Sequence, residues 1–218
     1  MRDLSKPTTT KEAKPPRGRP RAFDREAALG AATRLFWAKG YEATSIADLT
    51  QAMGIGSPSL YAAFGSKEAL YAEALDYYRA NYQSLFWDKF QRAPTAREAV
   101  RTLLVGSAGA LSGCSAGTPS GCMIALSSVG SEGHRELGAK VYEARTAGLH
   151  ALKARLQAAV ADGEVPASVD IDALARFVAA VQGGMSIMAR DGANQAELES
   201  VADVAMTGWD ARIAGSRT

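Results

Sequence analysis

The chain has 218 residues, enough for one domain or two small ones, and 47% of them are apolar, enough for a sizeable core. The net charge of +2 is unevenly spread. Residues 1–23 hold seven basic and two acidic groups, and the remainder carries 18 basic and 21 acidic, the pattern of a basic arm for a polyanion or of a solvated tail. Two cysteines make no disulfide framework, no secretory apolar segment follows Met1, and the apolar stretch 177–189 is too short to cross a bilayer. These features predict a cytoplasmic protein without membrane contact.

Residues 1–23 are rich in Lys, Pro, Thr and Arg without apolar periodicity and read as a disordered arm. Asp24 is placed to cap a first helix, in which Ala28, Ala31, Ala32, Leu35 and Phe36 recur at helical spacing and which Gly40 stops. Thr44 or Ser45 starts a second helix with Ile46, Leu49 and Met53 on one face. Gly54, Ile55 and Gly56 form a turn. Ser57 then caps a short third helix with Pro58 at its first position, ended by Gly65. Ser66 caps a fourth helix, predicted as one continuous rod from 67 to about 90, with Tyr78, Tyr82, Leu85, Phe86 and Phe90 on one broad face. Further helices are predicted over 95–111, briefly over 123–129, and over 134–161, after a Gly/Ser/Pro loop at 113–121. Asp170 caps another, whose Ile171, Leu174, Val178, Val181, Met185 and Met188 form a seam matched to a partner helix. A last helix holds Leu198, Val201, Ala205, Trp209 and Ile213. No strand and no repeat is visible, so the fold class is all-α.

Two short helices joined by a Gly-containing turn, after a longer one, describe a helix-turn-helix, whose second helix enters the major groove. The segment from Gly40 through Ala47, with Met53-Gly54-Ile55 and the run from Ser59 to Leu70, resembles the signature of the TetR family of transcription regulators over residues 24–71. That resemblance implies an N-terminal three-helix DNA-binding domain (24–70) after the arm (1–23), then a helical effector-binding and dimerisation domain (71–218). It implies a homodimer on a palindromic double-stranded operator, released by a small-molecule effector, with no cofactor. A transcription activator and an architectural DNA binder without ligand are the alternatives.

Tyr61 and Lys67 resemble the family's phosphate contacts. Thr44, at a helix start, is placed to hold a phosphate. Ser57 and Ser59 can hydrogen-bond to bases or phosphates, and Ala62 can meet a thymine methyl. Positions 62 and 63 are both Ala, where many relatives carry a basic or aromatic residue, which shifts specificity toward shape readout and toward Arg17, Arg19 and Arg21 in the minor groove. The effector pocket is expected from Tyr82, Phe86 and Phe90, from Cys122, Met123 and Leu126, and from Tyr142 and Arg145, with Gln182 as a polar group. Ser127 and His150 are further polar candidates. The dimer interface is expected to use Phe177, Val181, Gly184, Met185 and Met188 with Val201, Ala205 and Trp209 in a four-helix bundle. Cys114 and Cys122 raise a thiol sensor or a metal site against the plainer reading of loop cysteines, and His134 and His150 lie far from them in sequence. No Ser-His-Asp set, phosphate loop or metal cluster points to an enzyme.

Overall fold

The computed structural model describes residues 23–113 and 117–216, and every regular element among them is helical. The helices are α1 (Arg25–Lys39), α2 (Ile46–Met53), α3 (Ser57–Phe64), α4 (Lys67–Tyr78), α5 (Ser84–Arg92), α6 (Ala96–Leu111), α7 (Arg135–Ala161), α8 (Ile171–Arg190) and α9 (Gln195–Ala214). Arg17, Arg19, Arg21 and Cys114 lie outside the described residues.

Local hydrogen bonds set most boundaries. Asp24 accepts from the Glu26 and Ala27 amides and opens α1. Ser45, not Thr44, caps α2, in a reciprocal box with Asp48. Gly54 turns the chain in the left-handed region (φ 65°) and ends α2. The N-cap of α3 is Gly56, so Ser57 opens that helix without capping it. Ser66 accepts from the Ala69 amide at the start of α4.

The predicted continuous fourth helix is interrupted. Residues Arg79–Gln83 form a π-helical turn between α4 and α5. The wider turn changes the phase of everything after it, and such turns gather at functional sites. The predicted helix over 123–129 is also absent. Those residues form successive turns within a strap, residues 121–134, that runs from α6 to α7. Several of its amides bond locally, as Leu126 does to the Cys122 carbonyl, while the Cys122 amide donates to the Ser186 hydroxyl of α8.

Two apolar cores result. One joins α1–α4 to the strap through Met123, Ile124 and Val129, and to Leu137 and Val141 of α7. The other gathers α5, α6, the C-terminal part of α7, α8 and α9 around Leu103, Leu104, Leu156, Met185 and Leu198. The head's core therefore reaches past residue 70, and truncating Phe36 within it to Ala would cost about 3–5 kcal/mol.

Candidate DNA-binding surface and effector cavity

α3 buries Leu60 and Phe64 and leaves Ser57, Ser59, Tyr61 and Ala62 exposed on its free face. Arg25 of α1 holds the end of that helix in place. Its guanidinium donates to the Ala63 carbonyl at 3.2 Å, pairs with Glu73 of α4 at 2.8 Å and covers the Phe64 ring at 4.4 Å. Lys67 stands beside this face at the first position of α4, its Nζ 4.2 Å over the Tyr41 ring. Tyr41 is buried, and its hydroxyl donates to Glu68, so burial and that carboxylate push its pKa up and keep it neutral. Thr44 departs from expectation. It is fully buried, and its hydroxyl donates to the Gly40 carbonyl at 2.6 Å, so it braces the α1–α2 turn and does not face a phosphate.

A cavity of about 1030 Å³ lies between the α4–α5 segment, the strap, α7 and α8. This is ample for a small organic ligand. Of the expected lining, Tyr82, Phe86, Cys122, Arg145 and Gln182 are present. Gln182 donates to the Ser107 hydroxyl at 2.7 Å. The Cys122 thiol is unpaired, and its sulfur accepts from Gln83 Nε2 and the Ala125 amide, each at 3.4 Å. Five expected lining residues are corrected. Phe90 is wholly buried among α5 and α6 residues, because the π turn swings it away from the cavity. Met123 and Leu126 face a smaller cavity against α1 and the α1–α2 turn, and Tyr142 points outward, 71% exposed. His150 is exposed and does not line the cavity. Sequence reading missed Trp37, Gln83 and Trp87, all on the lining. Trp87 follows Phe86 and so fell outside a stripe drawn for a continuous helix, whereas Gly148, whose Cβ would lie 3.2 Å from the Trp87 ring, was the legible sign of a large side chain there.

The strap joins cavity to head. Trp37 of α1 lines the cavity and donates from Nε1 to the Gly121 carbonyl at 2.9 Å. Gly121 has φ 78°, and a Cβ there would lie 2.9 Å from the Ser186 carbonyl oxygen, so only glycine fits. Tyr71 of α4 shares a 2.9 Å hydrogen bond with Ser127, and His134 bonds Glu42 while packing its ring 4.5 Å from Tyr41. Arg190, at the end of α8, donates to the carbonyls of Trp37, Ala38 and Ser120 at 2.8–3.0 Å and so grips the C-terminus of α1.

On α8 the expected seam is corrected. Leu174, Val178 and Met185 are buried inside the chain's own core, as are Ala205 and Trp209 of α9. Val181 and Val201 are half-buried against that core. The outward apolar face is a rotated stripe of Phe177, Gly184, Ile187 and Met188, beside Val204 of α9. α8 is long and apolar enough to cross a membrane by length and composition, but its apolar residues divide between the chain's own core and this outward face. Among the described residues, no cluster of three or more His, Cys, Asp or Glu is arranged for a metal.

The family profile "Bacterial regulatory proteins, tetR family" matches residues 28–74. The chain is 36% identical over 205 residues to the HTH-type transcriptional repressor ComR of Escherichia coli (strain K12), covering 92% of this chain and 96% of ComR. The chain belongs to the TetR family. A second relative of this TetR-family chain, the HTH-type transcriptional repressor BdcR of the same organism, is 50% identical over 70 residues, 35% of its own length. Among solved structures, a cysteine mutant of the TetR regulator CifR, complexed with 26-bp double-strand operator DNA, superposes with a TM-score of 0.79 at 38% identity. The match covers 88% of this chain and all of that one. This TetR-family chain is a DNA-binding transcription regulator and not an enzyme.

Proposed function

We propose that the chain is a homodimeric repressor acting in the cytoplasm. Two copies pair through the outward faces of α8 and α9, a self-complementary contact of the kind two-fold symmetry requires. The two α3 helices then meet major-groove faces about 34–36 Å apart on a palindromic operator. Ser57, Ser59 and Ala62 face the bases, and Tyr61 and Lys67 take the flanking phosphates. Arg17, Arg19 and Arg21 supply an arm for the minor groove. A small molecule in the cavity favours a head spacing that no longer matches the operator, and a differential affinity of a few kcal/mol is enough to empty the site.

The observation that carries this reading is Trp37. It belongs to the DNA-binding head and lines the cavity, so an occupant touches the element that must move. The test is to incubate purified protein with genomic fragments at moderate salt and sequence what is retained. One enriched palindrome, with transcription from it rising when the gene is deleted, supports a repressor. Uniform retention without an enriched site refutes specific recognition.

A further inference from the structure

The effector cavity carries one charge that nothing answers. Arg145 projects from α7 onto its wall. Nε donates to the Ile124 carbonyl at 3.1 Å, and Nη2 donates to the carbonyls of Ala125 and Ser127 at 2.9 and 2.7 Å. Among the described residues, Arg145 pairs with no carboxylate and its Nη1 has no acceptor. The other charged lining residues, Asp76 and Arg79, pair with each other at 4.0 Å. The wall is left with one net positive charge. Beside it stand Tyr82, Phe86 and Trp87, with room kept open by Gly148.

We infer that the effector is a small amphipathic anion, such as an aromatic carboxylate. Its anionic group lies on Arg145 and its apolar body along Tyr82, Phe86 and Trp87. This rests on the cavity being the effector site. A guanidinium offers a planar fork that fits a carboxylate with two parallel bonds, and a carboxylate adds opposite charge that a neutral carbonyl lacks. A carboxylate set across the free Nη1 and Nη2 therefore competes with one of the two strap carbonyls on Nη2. The carbonyls on Nη2 belong to Ala125 and Ser127, and Ser127 is also the partner of Tyr71 in α4. Binding at Arg145 thus loosens the strap that holds the DNA-binding head.

The test uses two fluorescent dyes on one scaffold with the full chain: anilinonaphthalene sulfonate, an anion, and phenylnaphthylamine, its neutral counterpart. Both are expected to bind at one per chain. Arg145→Met should weaken the sulfonate about tenfold or more and move the neutral dye less than about twofold. An equal shift of both dyes, or no shift of the sulfonate, overturns the assignment. Failure of the neutral dye to bind at all refutes the cavity reading, and the anion with it. Because Arg145→Met removes three strap bonds, wild-type protein provides a second measurement. Naphthalene carboxylate should displace the neutral dye at about tenfold lower concentration than naphthalene carboxamide, and equal displacement overturns the proposal.

Discussion

Removing the Lys67 charge tests the DNA-binding surface most directly. Lys67→Ala takes one phosphate-neutralising group from each chain and two from the dimer. Each such contact contributes about 0.9 to the slope of log affinity against log salt, so the slope should flatten by about 1.8. Between 50 and 200 mM salt that amounts to roughly a tenfold narrowing of the gap between wild type and variant. Lys67 lies 4.2 Å over a buried ring, so the charge is already placed before DNA arrives. The fold should lose only that contact, about 0.5–1 kcal/mol. Fluorescence anisotropy on the retained operator at four salt concentrations measures the slope, and a thermal melt checks the fold. Lys67→Arg should keep the slope. An unchanged slope in Lys67→Ala with normal melting would refute a phosphate contact at this position.

Other perturbations read other parts of the molecule. Trp37→Phe leaves the buried Gly121 carbonyl without its donor, which should cost about 1–3 kcal/mol and lower the thermal midpoint. Ile187→Asp places a charge on the outward face of α8 and should yield monomers in sedimentation, with helical content retained and operator binding lost. A dimer of wild-type strength would refute that interface. Gly148→Leu drives a side chain toward Trp87, 3.2 Å from where its Cβ would sit, and should abolish binding of the neutral dye while DNA binding persists. Asp210 pairs with Arg97 at 2.7 Å, and that guanidinium holds its carboxyl below the ordinary value of 3.8. A lowered folded pKa gives stability above the ordinary value that disappears as pH falls through the lowered one. Asp210→Asn should therefore be slightly less stable than wild type at pH 7, by under about 1 kcal/mol for so exposed a pair. Melting curves of the two should converge in strong acid.

The head was legible because its boundaries are made by neighbours in sequence. Asp24, Ser45, Gly54 and Ser66 act within three or four residues of themselves, so residue type alone predicts the helix ends. The effector half answers to contacts distant in the chain. A π turn at Arg79–Gln83 leaves no mark in composition, and it displaced Phe90 from the cavity while bringing in Trp87. Met123, Ile124 and Val129 are apolar because the strap packs against the head, not because they form a helix. On α8 two apolar stripes run side by side. Periodicity cannot tell the one buried by the chain itself (Leu174, Val178, Met185) from the one left outward (Phe177, Ile187, Met188), since both are apolar at helical spacing.

Arg190 has a consequence for operator architecture. The helix it ends carries the outward face, and its fork is fastened to the last carbonyls of α1. In the proposed dimer, a small rotation of one α8 across the other is therefore geared to the two heads by a link that does not run along α4. In that proposed dimer, half-site spacing on DNA is a property inherited from subunit packing. Substitutions at Phe177, Gly184 or Met188 that preserve pairing but alter its angle should retune the preferred number of base pairs between half-sites, leaving the bases read within each half-site unchanged.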